Sequence, residues 1–219
     1  MKEEKKLDAI IGILERETFH FNLPSVSQIS KEYRGAFFVL ISCILSLRTK
    51  DKTTQDASRR LFALAKTPSQ ILRLTKRQIE KAIYPVGFYH TKAKRIKDIC
   101  KVLTGQFSSA VPDTLEGLLR LKGVGRKTAN LVMTEGFGKL GICVDTHVHR
   151  ITNRLGFCRT KTPEKTEMCL RNRLPKRHWI EYNKLLVTWG QNVCKPVSPL
   201  CSVCAIRKYC PRRGVVKHR

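Results

Sequence analysis

Leu121-Lys-Gly-Val-Gly-Arg-Lys-Thr128 places two glycines two residues apart, between one helical stretch and the start of another. Glycine lets the backbone turn sharply and leaves bare amides that a phosphate can approach. The helix that follows offers N–H groups beyond the reach of its own carbonyls, and the positive end of its dipole. This is the construction of a helix-hairpin-helix, which grips a nucleic-acid backbone without reading bases. By itself, Gly-Val-Gly fits any turn between two helices. Arg126 and Lys127 follow at once, however, so Gly123, Val124, Gly125 and Arg126 are the expected backbone contacts.

The rest of the chain agrees with a polyanionic partner. Among 219 residues, 43 Lys and Arg stand against 17 Asp and Glu, a formal charge of +26. The excess runs from Lys50 to Lys217 rather than sitting in a detachable tail, so it points to nucleic acid more than to a membrane surface. Residues 7–14 carry Leu7, Ile10, Ile11 and Leu14 at helical spacing. The longest apolar run, 36–47, is too short to span a bilayer and reads as a buried helix. No secretory signal is apparent, which suggests a cytoplasmic chain.

Helical periodicity recurs at 59–65, 71–83, 91–103 and 114–121, and strand alternation is almost absent. The expected fold is all-α, and 211–219 read as a basic tail outside the packed core. Nine cysteines without a signal peptide suggest a reducing compartment. Cys43, Cys100, Cys143, Cys158 and Cys169 are expected to be small core residues. The other four, Cys194, Cys201, Cys204 and Cys210, have the spacing C-x6-C-x2-C-x5-C. Such packing suits an iron–sulfur cluster or a structural zinc.

Two further residues are candidates for chemistry. Lys127 sits near a helix N-terminus, where the dipole disfavours an ammonium; a neutral amine there is a nucleophile, and a charged one contacts phosphate. Asp145, in Gly141-Ile-Cys-Val-Asp-Thr-His-Val-His-Arg150, reads as a helix N-cap. A cap also holds a carboxylate in a fixed place, where it can take a proton or steady developing positive charge. His147 and His149 read as structural or phosphate-contacting.

LKGVGRKTANLV, then VDTHVHRITNRLGF with Asp145 eighteen residues beyond Lys127, then the four-cysteine tail, together resemble the endonuclease III family. This is the iron–sulfur branch of the helix-hairpin-helix DNA glycosylases. The resemblance implies a two-lobed fold: a helical barrel over 29–138 carrying the hairpin, and a second lobe from 1–28 plus 139–219 holding a [4Fe–4S] cluster on the four cysteines. It implies that Lys127 attacks C1′ of a damaged nucleotide in double-stranded DNA, with Asp145 assisting. A Schiff base and β-elimination at the abasic site would follow. Oxidised pyrimidines are the implied lesions, and a monomer in a bacterial or archaeal cytoplasm the implied setting.

By the same resemblance Arg48 stands where a glutamine fills the gap left by a flipped base, and Phe88 where a second wedge is placed. The alternative for Phe88 is a core aromatic. Lys195 is the one basic residue between Cys194 and Cys201, and Lys122 replaces a usual proline. The rival readings are a non-enzymatic DNA-binding module with a structural metal, a zinc-stabilised structural protein, and a monofunctional glycosylase.

Overall fold

The computed structural model describes residues 3–219. Among them there is no strand, and the helices are α1 (Glu3–Thr18), α2 (Ser25–Tyr33), α3 (Ala36–Ser46), α4 (Asp51–Leu64), α5 (Pro68–Arg73), α6 (Lys76–Ile83), α7 (Tyr89–Gln106), α8 (Leu115–Leu119), α9 (Arg126–Leu131), α10 (Thr146–Arg154), α11 (Pro163–Arg173) and α12 (Trp179–Asn192). A π-helical turn, Val132–Gly136, continues α9 without a break. The chain divides into two compact units. One is Pro24–Gly141; the other takes the residues up to Leu23 together with Ile142–Arg219. These limits lie outside the expected 29 and 138, since Ile29 falls inside α2.

The Pro24–Gly141 unit is built around α3. Val39 through Leu45 are all buried, on every face of the helix, so neighbours must cover it on all sides. Val26, Ile29, Leu61, Phe62, Ile96 and Ala129 belong to the same core. The period at 71–83 is split into α5 and α6. Thr75 breaks it: its hydroxyl accepts from Gln78 N, and the Gln78 side chain accepts from Thr75 N. This capping box starts a new helix where the apolar pattern alone would have run on.

In the other unit α1 buries Leu7, Ile10, Ile11 and Leu14. They pack with Ile151, Leu170, Leu186 and Trp189 in a second core. Asp8 on α1 accepts from Arg177 at 2.9 Å and pairs with His178 at 2.7 Å, which holds its carboxyl below the usual carboxylate range.

One expectation is corrected here. Cys158 and Cys169 are joined in a disulfide, with Cα atoms 6.3 Å apart, rather than standing as separate core thiols. The turn after α10 brings Cys158 opposite α11, within the range a disulfide spans. Cys43, Cys100 and Cys143 are buried thiols as expected. Residues 211–219 lie outside the packed core as expected, exposed at all but Val215, yet they are fastened in place. Arg213 N donates to Arg154 O at 3.2 Å, Ser202 N donates to Arg219 O at 2.8 Å, and Arg219 N donates to Pro199 O at 2.9 Å. Backbone bonds, invisible to composition, fasten them to the cysteine loop.

Candidate active site

Gly123 adopts φ +87°, a left-handed conformation that side chains rarely tolerate. The Arg95 guanidinium packs over it, so a Cβ there would make that side chain swing away. Val124 is buried and donates its N–H to Leu121 O at 2.9 Å, which closes the turn. Gly125 caps α9 with no side-chain hydrogen bond, and a Cβ on it would meet nothing within 4 Å. The hairpin therefore presents open backbone at Gly125, followed by exposed Arg126 and Lys127 in the first turn. Arg95, on α7, is a cation of this surface that the sequence pattern did not single out.

Asp145 is the N-cap of α10. Its Oδ1 accepts from His147 N and Val148 N, both at 2.9 Å, so the half-buried carboxylate is held still. His147 Nδ1 lies 3.1 Å from Arg150 Nη2, and His149 Nδ1 lies 2.6 Å from Thr166 Oγ1. Both histidines thus have structural partners on their own unit. Asp145 stands on that unit, and Lys127 on the Pro24–Gly141 unit.

Arg48 and Phe88 form a pair. Both have left-handed backbone, φ +54° and +58°, which costs roughly 1–2 kcal/mol for a residue other than glycine. The Arg48 guanidinium carbon lies 5.4 Å from the centre of the Phe88 ring. Phe88 is 63% exposed, which removes the alternative of a core aromatic. Lys195 is half-buried beside the cysteines, and its carbonyl accepts from Arg154 Nη1 at 2.7 Å.

Cys194, Cys201, Cys204 and Cys210 line one pocket with Ile151, Leu155, Trp189, Val193 and Ile206. Two N–H donors point at its sulfurs: Arg154 Nη1 to Cys194 Sγ at 3.3 Å, and Arg212 N to Cys210 Sγ at 3.4 Å. Burial, reinforced by the three neighbouring sulfurs, pushes the Cys204 thiol up to about 11. Four soft sulfur donors around an apolar space fit a sulfur-ligated metal group. Among the described residues, no group of three or more His, Cys, Asp or Glu is placed to hold a metal ion.

A helical chain with an open-backbone glycine hairpin and an exposed lysine just behind it has the construction of a helix-hairpin-helix protein. Residues 41–176 match the HhH-GPD superfamily of base excision DNA repair proteins, and the chain belongs to that family. Endonuclease III of Thermotoga maritima is 45% identical over 181 residues, which span 81% of this chain and 85% of that one. A chloroplastic endonuclease III homologue of Arabidopsis thaliana is 43% identical over 80% of this chain, which spans 48% of its length. A solved non-covalent endonuclease III–DNA complex superposes with a TM-score of 0.84 and 30% identity, covering 97% of each chain. A trapped endonuclease III–DNA covalent intermediate superposes with a TM-score of 0.76 and 32% identity, covering 85% of this chain and 92% of that one. The particular branch is thus endonuclease III, whose members are base excision repair DNA glycosylase/lyases.

Proposed function

We propose that this chain removes damaged, principally oxidised, pyrimidines from double-stranded DNA and then cuts the abasic strand by β-elimination. The observation that carries this reading is Lys127: an exposed amine in the first turn of α9, directly behind the open backbone of Gly125. Hairpin amides and Arg126 would hold the phosphates beside the lesion. The Lys127 amine would attack C1′ and the C1′–base bond would break, the base leaving with its electron pair and taking a proton. The nitrogen would then lose a proton, the C1′–O4′ bond would break as O4′ takes a proton, and the opened sugar would be held as a protonated Schiff base. Removal of a C2′ proton then expels the 3′ phosphate. Asp145 would accept a proton from the attacking nitrogen or steady positive charge on the sugar.

Arg48 and Phe88 would occupy the space vacated by the extruded nucleotide, whose unstacking costs a few kcal/mol. Cys194, Cys201, Cys204 and Cys210 would hold a [4Fe–4S] cluster, which with four thiolate ligands supplies a rigid anchor for the loop. Lys195 would add a phosphate contact there. Affinity should fall by about 0.9 log units per log unit of salt for each phosphate neutralised. A formal charge of +26 also opposes self-association and supports a monomer. A bacterial or archaeal cytoplasm belongs to the same reading; among the described residues no helix is long and apolar enough to cross a membrane.

Incubation with an abasic-site duplex and borohydride tests it. The wild type should yield a covalent protein–DNA adduct and Lys127→Ala none. No adduct with DNA binding intact would leave a monofunctional glycosylase or a binding module. An adduct surviving in Lys127→Ala would assign the chemistry to another amine. Metal analysis and a yellow-brown colour separate iron–sulfur from colourless zinc.

A further inference from the structure

Lys92, on α7, is only 6% exposed, an uncommon position for a lysine. Its ammonium donates to Leu45 O at 2.7 Å, Leu47 O at 2.5 Å and Thr49 Oγ1 at 3.1 Å. The first two acceptors are the last carbonyls of α3 and its cap, where the helix dipole is negative. The charge is therefore solvated by neutral oxygens of the segment that carries Arg48. On its own helix Lys92 N donates to Phe88 O at 3.0 Å, tying it to the residue that carries the aromatic ring. Between the two loops Gly87 packs so closely that a Cβ would lie 2.9 Å from Arg48 O.

Lys92 thus bonds on both sides of an exposed pair whose backbones are both left-handed. Held separately, each strained residue could relax into an ordinary conformation and lose its partner. With the Arg48 segment fastened to α7 by the Lys92 ammonium, and with Gly87 packed on Arg48 O, the Arg48 side chain is fixed beside Phe88, the N-cap of that same helix, and the two project as one unit.

We propose that Lys92 is a positioning residue for DNA extrusion, locking the Arg48 and Phe88 loops into a single two-pronged wedge. This rests on the reading above that Arg48 and Phe88 enter the duplex. Lys92 itself touches no DNA in this scheme.

The test is a mutant cycle on an abasic-site duplex carrying 2-aminopurine opposite the lesion, with incision rate and fluorescence both recorded. Lys92→Met keeps the aliphatic stem and removes the donors. It should slow incision about tenfold and abolish the change in 2-aminopurine emission on binding. In an Arg48→Ala, Phe88→Ala background the same substitution should cost less than twofold, because no wedge remains to position. An equal loss in both backgrounds would make Lys92 a general structural lysine and overturn the proposal. So would wild-type behaviour of Lys92→Met while the double variant is slow. If the double variant itself incises normally, the reading of Arg48 and Phe88 fails instead. Should Lys92→Met not fold, Gly87→Ala separates the loops without touching Lys92. It must then show the same loss of emission change, and normal behaviour there would overturn the proposal.

Discussion

Gly123 and Arg95 share one space: the guanidinium from α7 occupies the position a side chain on the hairpin glycine would take. Gly123→Ala therefore displaces a movable guanidinium and, more costly, puts a side chain on a backbone with φ of +87°. It should lower stability by about 1–3 kcal/mol and weaken DNA binding. Gly125→Ala differs, since nothing lies within 4 Å of its Cβ and its φ is −92°. Its stability should stay within about 0.5 kcal/mol of the wild type. DNA affinity should still fall, because the new methyl stands where the phosphate approaches. Thermal melts beside fluorescence anisotropy on an abasic duplex measure both; normal affinity of Gly125→Ala would place the phosphate elsewhere.

Asp145 does two things at once, and two substitutions separate them. Asp145→Asn keeps an oxygen to accept from His147 N and Val148 N but removes the charge. Asp145→Ala removes both. The alanine variant should lose about 1 kcal/mol, the usual worth of a cap, and the asparagine variant a few tenths. Adduct formation should fall in both by at least tenfold. If Asp145→Asn traps DNA as fast as the wild type, the carboxylate is a cap only.

The sequence exposes some of this site and conceals the rest, for identifiable reasons. Gly123, Gly125 and the Asp145 cap depend on local backbone, so their residue types announce them. The four cysteines announce a common pocket because their spacing is short. Lys92 reads like any surface lysine on an amphipathic helix; only the approach of the α3 carbonyls from 45 positions and more away makes it a buried donor. Arg95 is hidden in the same way. Pairing of Cys158 with Cys169 depends on how the turn after α10 folds back, which spacing of 11 does not specify.

That disulfide is countable. With nine cysteines in the chain, seven are free of it. Metal-free protein unfolded without reductant should show seven reactive thiols, and two more after reduction. Cys158→Ser with Cys169→Ser should lower stability by about 2–3 kcal/mol, as expected for a short closed loop. Nine thiols before reduction would mean the bond is not formed in solution.

Arg154 is a main tether of the cysteine loop, beside Arg150, which donates to Cys194 O at 2.8 Å. Besides Cys194 Sγ, Arg154 donates to Lys195 O and Pro196 O, both at 2.7 Å. Arg154→Leu removes charged hydrogen bonds worth roughly 1.5–3 kcal/mol each. Iron content per chain should drop to less than half that of the wild type, with a lower melting temperature. Full iron content in the variant would show that the loop is held without it.

Lys92 leaves a mark on stability against pH. Burial lowers its ammonium from 10.5 to about 8. Between these values the unfolded chain keeps the proton and the folded chain has released it. The unfolded state binds more protons there, so stability rises with pH across that window. Below about pH 8 both states are charged and the contribution is constant. Lys92→Met removes the linkage while leaving all other titrating groups in place. The stability of the wild type minus that of the variant should therefore be flat up to about pH 8 and climb towards pH 10.5. Urea unfolding of the pair at pH 7, 8, 9 and 10 measures the difference. Parallel curves would mean that the three oxygens around the ammonium offset its burial in full.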